Sequence, residues 1–235
     1  ANAYVTIRDE MEALLEQLQI LAEEYLPLEH EQRGEVFYRV RGEYNSGRGC
    51  LEYDEMGEGR IPRAAQTIFL NRTCFNGLYR VNSKGDYNVP HGRYKNPPIR
   101  DSENLASVSE SLQGVTVSCG SYEVCEPFVD DRTFVYLDPP YRPLPNTPSF
   151  TDYAQKSSFG DDDQRALASF YSRMSQLGAS MMLSNSDPKN TDPEDEFFDE
   201  LYSDYIINRV SARRAINSDG AGRGEVSEIL VTNYG

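Results

Sequence analysis

Tryptophan is absent from this 235-residue chain, histidine occurs twice, and lysine supplies only four of the 23 basic residues. Each shortage narrows the reading. His30 and His91 are too few and too far apart for a His-based metal centre. The four cysteines (Cys50, Cys74, Cys119, Cys125) lack CxxC-type spacing, so no metal is implied and free thiols in a reducing compartment are expected. No apolar run approaches the roughly 18 residues a membrane helix needs. No signal peptide is visible either, so a cytoplasmic, monomeric protein without a membrane partner is expected. The chain starts at Ala1 rather than Met and enters a helical pattern at once, which reads as a cut inside a longer chain.

The formal net charge is -15, which at first sight excludes a nucleic-acid partner. The charge is unevenly placed, however. From Asn71 to Arg100 the positive residues Arg72, Arg80, Lys84, Arg93, Lys95 and Arg100 face one acid, Asp86. A second island holds Arg209, Arg213, Arg214 and Arg223 against Asp219. Such islands in an acidic chain suit contact with phosphate. The acid surplus, paired with scarce lysine, suits a halophilic protein whose surface charge is screened by salt.

Helical periodicity runs from Thr6 to about Leu26 through Met11, Leu14, Leu15, Leu18, Leu21, Ala22 and Tyr25, with Thr6 and Asp9 spaced as a capping box. Further helices are expected over Glu29–Tyr44 and Arg63–Asn71. Leu78–Asn82 and Asp86–Pro90 flank Ser83-Lys84-Gly85 as the arms of a β-hairpin. The pattern then changes. Val115–Cys119, Thr133–Leu137, Met181–Ser184, Tyr205–Val210 and Ile229–Thr232 read as strands, with helices at Asp163–Leu177 and Phe197–Tyr202. A helical, hairpin-bearing segment (1–110, hairpin about 75–97) thus precedes part of an α/β domain with a parallel sheet (111–235).

Asp138-Pro139-Pro140-Tyr141 follows an apolar strand, where α/β proteins place reactive groups. An exocyclic base amine is a poor nucleophile because its lone pair is delocalised into the ring. Two acceptors, the Asp138 carboxylate and the Pro139 carbonyl, can draw it toward a tetrahedral nitrogen facing a methyl donor. Pro139 and Pro140 fix the backbone that carries that carbonyl. The Tyr141 ring can stack on a base taken out of the duplex. Either adenine N6 or cytosine N4 would suit such acceptors.

Phe69 to Arg80, continuing through Tyr87-Asn88-Val89-Pro90-His91-Gly92-Arg93-Tyr94-Lys95-Asn96-Pro97, resembles the target-recognition hairpin of Dam-type DNA adenine methyltransferases. Ser149-Phe150-Thr151-Asp152-Tyr153 resembles the family's Phe-Thr-x-Tyr loop, and Met182-Leu183-Ser184-Asn185-Ser186-Asp187 its next strand. Arg214-Ala215-Ile216-Asn217-Ser218 and Glu228 to Tyr234 resemble its C-terminal end. The resemblance spans essentially the whole chain. It implies a Rossmann-like class I methyltransferase core, present in part, and a helical target-recognition domain. It also implies methyl transfer from S-adenosylmethionine to adenine N6 in duplex DNA at GATC-type sites, with base flipping, as in restriction-modification systems.

The resemblance further implies that Arg80, Leu78 and Pro90 read bases, Arg80 gripping guanine. Phe75, with Asn76 beside it, matches the aromatic that wedges into the duplex. Arg72, Asn82, Asn88, Arg93, Tyr94 and Lys95 match phosphate-contacting positions. Asp138, Tyr122 and Ser121 fall near the cofactor, although the family's acidic residue before the aromatic is replaced by Gly120-Ser121. The family's Phe-x-Gly-x-Gly cofactor loop is not in the sequence. Gly47-Arg48-Gly49 and Gly57-Glu58-Gly59 follow no apolar strand and are loop glycines. An N4-cytosine enzyme, or a DNA-binding fragment inactive without that loop, are the competing expectations.

The halophilic reading predicts a melting temperature that climbs as salt rises from low to molar concentration. A steady fall over that range in a thermal scan would discard it.

Overall fold

The computed structural model describes residues 1–49, 59–142, 159–213 and 225–235, and it divides into two compact units, Ala1–Cys119 and Gly120–Gly235.

The first unit is helical. Helices α1 (Asn2–Asp9), α2 (Met11–Tyr25), α3 (His30–Ser46), α4 (Arg60–Thr73) and α5 (Ser102–Ser111) surround one core. In α2 the residues Leu14, Leu18, Ala22 and Tyr25 recur every three or four positions and are all buried. The expected single helix from Thr6 is instead kinked at Glu10 (φ -133°, ψ 36°). Glu10 N–H still donates to Thr6 O and Leu14 N–H to Glu10 O, so the ladder survives while the axis turns. The reason is tertiary: α1 packs on α4 and α5, whereas α2 packs on α4, α5 and α3. Thr6 is buried inside α1 and does not cap a helix. The capping box belongs to α3, where Glu29 and Gln32 satisfy each other's backbone N–H groups. Helix α5, which the apolar pattern did not reveal, is capped by Asp101 and buries mainly Leu105.

The hairpin is present, but as a short ladder rather than two full strands. Asn88 N–H donates to Arg80 O (3.0 Å) and Asn82 N–H to Asp86 O (2.9 Å), bracketing the Val81–Tyr87 bridge. The turn is built by Asn82 Oδ1, which accepts from Lys84 and Asp86 N–H, and by Gly85 at φ +82°. The ladder is short because the flanks have other partners. Asn45 on α3 clamps both backbone groups of Tyr87 (2.8 and 3.1 Å), and Arg41 donates to Val89 O. The first arm folds back through a 3-10 turn, Phe75–Gly77, in which Asn76 (φ 55°) and Gly77 (φ 62°) are left-handed.

At the hairpin root a second register takes over. Phe75 N–H donates to Pro90 O and Gly92 N–H to Thr73 O, around a Cys74–His91 bridge. His91 also meets the Tyr25 hydroxyl at 2.6 Å and stacks on His30 at 5.0 Å between centroids.

In the second unit, strands β1 (Phe134–Leu137), β2 (Ser180–Ser186), β3 (Ile206–Arg213) and β4 (Glu225–Thr232) form a sheet in the order β1-β2-β4-β3. Only β1 and β2 run parallel; β4 is antiparallel to both neighbours, which corrects the expected parallel sheet. Helix α6 (Asp161–Gln176) buries Leu167, Ala168, Phe170, Tyr171 and Met174 in the core with β1 and β2, and α7 (Phe197–Leu201) adds Phe198. The expected strand Val115–Cys119 is not one: these residues are mostly exposed and without regular secondary structure, at the end of the first unit. Their Val-Thr-Val alternation has strand propensity, but no described strand lies alongside to satisfy it.

Gly92 is a checkable constraint of this fold, since a Cβ there would sit 2.7 Å from Cys74 O and 2.9 Å from Thr73 O. The offending atoms are backbone and cannot swing aside. Gly92→Ala is expected to cost about 1–3 kcal/mol, read as a lowered denaturation midpoint.

Candidate functional site

β1 ends at Leu137, and Asp138 stands exposed beyond the strand's end. The register pairs Leu137 with Leu183, so the next position along β2, Ser184, lies beside Asp138. Ser184 Oγ donates to Asp138 Oδ1 at 3.1 Å, and the Tyr136 hydroxyl lies 2.9 Å from Ser184 Oγ. Tyr141 is half-buried; burial pushes its phenol above the ordinary range, with the Ser184 hydroxyl opposing and Glu228 and Asp138 adding to the rise. Its hydroxyl reaches Glu228 Oε2 at 3.5 Å, at the limit of a hydrogen bond.

The backbone of this loop is held from beneath. Gln164 of α6 and Asn185 of β2 are both completely buried. Gln164 Nε2 donates to Pro140 O (3.1 Å), Asn185 Nδ2 to Gln164 Oε1 (3.2 Å), and Arg142 N–H to Asn185 Oδ1 (2.9 Å). Ser186 Oγ donates to Arg142 O at 2.8 Å. These bonds form a ring that brackets Tyr141. Arg142 then closes the loop, pairing with Asp161 (2.8 Å) and Asp195 (2.7 Å) while its guanidinium lies 4.2 Å from the Phe197 ring centroid. Burial opposes the charge on Asp195, yet Arg142 and the Phe197 N–H hold its carboxyl below the usual carboxylate range.

Of the cofactor candidates, Ser121 caps the 3-10 turn Tyr122–Phe128 by accepting from Glu123 N–H. Tyr122 packs its ring edge-on to Phe170, 5.0 Å between centroids, so one side of it is committed to the core.

The candidates of the first unit fall together on and around the hairpin. Phe75 is 52% exposed at the head of the 3-10 turn, followed by exposed Asn76. Leu78 is half-buried against the helical core, and Tyr87 OH donates to its carbonyl at 3.0 Å. Arg80 Nε donates to Asn88 Oδ1 at 2.8 Å, so Asn88 is engaged with the arginine opposite it. Asn82 is half-buried, its oxygen held in the turn. Pro90, Arg93, Tyr94 and Lys95 are exposed, and Arg33 of α3 ties down the backbone carbonyls of Tyr94 and Lys95. Arg72, at the end of α4, is partly exposed and lies 3.7 Å from Asp101. The loop 149–153, the segment 214–218, Arg223, Cys50 and Gly57-Glu58 lie outside the described residues.

Sequence reasoning missed the supporting set, Ser184, Asn185, Gln164 and Arg142. A signal existed for three of them. Ser184 and Asn185 interrupt an apolar strand, and Gln164 sits on the otherwise apolar stripe of α6. Their partners were not readable from spacing.

Comparison with known proteins fits this arrangement. Residues 2–216 match the D12 class of N6 adenine-specific DNA methyltransferases, and the chain belongs to that family. It is similar to the type II methyltransferase M.MjaIII of Methanocaldococcus jannaschii, with 46% identity over 232 residues, 98% of this chain and 75% of that protein. It is likewise similar to the type II methyltransferase M1.LlaDCHI of Lactococcus lactis subsp. cremoris, at 37% identity over 236 residues, 100% of this chain and 76% of the relative. The DNA adenine methylase of Escherichia coli K12 is 34% identical over 196 residues, 83% of this chain and 64% of its own length. The chain is therefore an adenine-specific DNA methyltransferase, which sets aside cytosine N4 as the target. No described helix is long and apolar enough to cross a membrane.

Asn185→Ala would orphan Arg142 N–H and Gln164 Oε1 in a buried place, at about 1–3 kcal/mol for each group. Chemical denaturation should report the loss of stability, and methyl transfer should fall with it.

Proposed function

We propose that this enzyme transfers the methyl group of S-adenosylmethionine to N6 of an adenine flipped out of duplex DNA, at GATC-like sites. The observation that carries the reading is an exposed carboxylate, Asp138, on a loop held by buried hydrogen bonds at the end of a core strand. In it, Asp138 and the Pro139 carbonyl accept from the adenine amine, and Tyr141 stacks on the base. An exposed carboxylate also suits a positively charged sulfonium donor, so the chemistry of this position fits the cofactor. Asp138, Ser121 and the open side of Tyr122 are the residues here that would hold it. When bound, the cofactor supplies an electrophilic methyl group. The protein's part is to hold the carboxylate and orient the amine.

The first unit reads the duplex. Arg80 and Leu78 on one arm, with Pro90 on the other, contact bases; Phe75, exposed beside left-handed Asn76, wedges into the stack. Arg72, Arg93, Tyr94, Lys95, Asn82 and Asn88 anchor phosphates, with Asn88 also bracing Arg80. The enzyme acts as a monomer in the cytoplasm, where cellular DNA is accessible to it.

Two tests address the two units separately. Asp138→Ala should lower methyl transfer by about two to three powers of ten while duplex affinity stays near that of the parent. Filter binding beside a tritium-transfer assay measures both, and activity retained within tenfold removes Asp138 from the amine. For the hairpin, Arg80→Ala should relax selectivity at one base pair of the site, worth about 1–3 kcal/mol. Lys95→Ala should weaken binding to all sequences alike and reduce the salt slope by about one unit. Methylation of duplexes substituted singly at each position of the site distinguishes the two. An Arg80→Ala enzyme slowed equally on every duplex makes Arg80 a phosphate contact.

A further inference from the structure

We propose that Ser184 is a positioning residue for methyl transfer, and that Tyr136 fixes the direction of its hydrogen bond; this rests on the assignment of Asp138 to the adenine amine. Ser184 is buried, with 6% of its surface exposed, and it is the next β2 residue after the Leu137–Leu183 pair. Its single hydroxyl proton can serve only one acceptor. An ionised Asp138 can only accept, so the proton of Ser184 goes to Asp138 Oδ1 (3.1 Å). Ser184 Oγ must then accept from the Tyr136 hydroxyl at 2.9 Å. Tyr136 lies two residues before Asp138, on the face of β1 that is not buried in the core. The chain therefore runs one way, from the Tyr136 phenol to the Ser184 hydroxyl to Asp138 Oδ1, each bond polarising the next.

The consequence falls on the carboxylate's torsion. With Oδ1 tied to the sheet, the plane of the carboxylate is set, and Oδ2 has no hydrogen-bond partner among the described residues. That oxygen is the one left to meet an amine proton. Without Ser184 the carboxylate rotates, and both oxygens compete for water and for the amine. The cost appears when the amine becomes tetrahedral, not when DNA binds. Ser184 touches neither substrate; the effect proposed here passes through Asp138, while its hydroxyl also meets that of Tyr141.

The test uses the full-length enzyme with S-adenosylmethionine and duplex DNA. Ser184→Ala should lower kcat by about 10- to 100-fold, less than loss of a direct transition-state acceptor, with KM for duplex DNA within about twofold. Ser184→Thr keeps the hydroxyl and should recover most of the rate. Tyr136→Phe, at a half-exposed side chain, should lower kcat by about three- to tenfold, consistent with loss of a supporting bond. In an Asp138→Ala background, Ser184→Ala should reduce the residual rate no further. A Ser184→Ala enzyme within twofold of the parent overturns the proposal, as does a Ser184→Thr enzyme as impaired as Ser184→Ala. A further loss in the Asp138→Ala background does so too. Should Ser184→Ala fail to fold, an unchanged kcat in Tyr136→Phe overturns the relay. An active Asp138→Ala enzyme marks the different failure, that of the carboxylate assignment itself.

Discussion

Two side-chain amides, Gln164 and Asn185, sit fully out of solvent beneath the Asp138–Tyr141 loop and spend their hydrogen bonds on its backbone. A buried amide left unpaired is costly, so the loop is the conformation that satisfies both. Pro140 O and Arg142 N–H are pulled toward the sheet, one on each side of Tyr141. Pro139 and Pro140 remove two backbone torsions from the same stretch. The loop is thus ordered by the fold itself, and its entropy is settled during folding. The same logic explains why polar residues interrupt the apolar strand β2: they serve the loop above it rather than the core around it.

Ion pairs occur in both units; in the first, Arg39 joins Glu24 and Glu43, and Arg8 joins Asp9. In the second, acids are matched to arginine and lysine at close range. Arg142 joins Asp161 and Asp195, and Arg209 joins Asp199 and the buried Asp187, while Lys189 joins Glu196 and Asp199. Such networks tie α6, α7 and β3 to the loops between them. In the first unit Arg93 and Lys95 stay at the surface after the hairpin, where they add to a local positive field that a net negative chain otherwise lacks. Local placement, not the total, decides whether phosphate is attracted.

Much of the fold was legible because periodicity carried it. The stripe of α2, the apolar strand before Asp138 and the helix after Asp161 all obey simple spacing, and Asp138-Pro139-Pro140-Tyr141 stands out as four residues behind a strand. What sequence could not convey were effects of distant partners. The kink at Glu10 accompanies a change of neighbours, α3 being added along α2, which no local pattern encodes. Val115–Cys119 has the residues of a strand and no described neighbour to pair with. The hairpin arms were foreseen, but not that Asn45 would take the hydrogen bonds of Tyr87 from outside the ladder. Spacing does not convey either that Asn88 Oδ1 accepts from Arg80 across the hairpin.

The change of register in the hairpin divides labour along its length. Near α4, Cys74, His91 and Gly92 are locked by close backbone approach, by the Tyr25 hydroxyl and by the stacked His30. Farther out, beyond the left-handed pair Asn76 and Gly77, the chain is held by a few backbone bonds, by Asn45 and by its own turn. Substitutions at the exposed outer positions therefore spare the root, whereas Leu78, Tyr87 and Val89 share the helical core with Cys74. A scaffold built this way can exchange the exposed side chains of its outer hairpin without rebuilding the root that presents them.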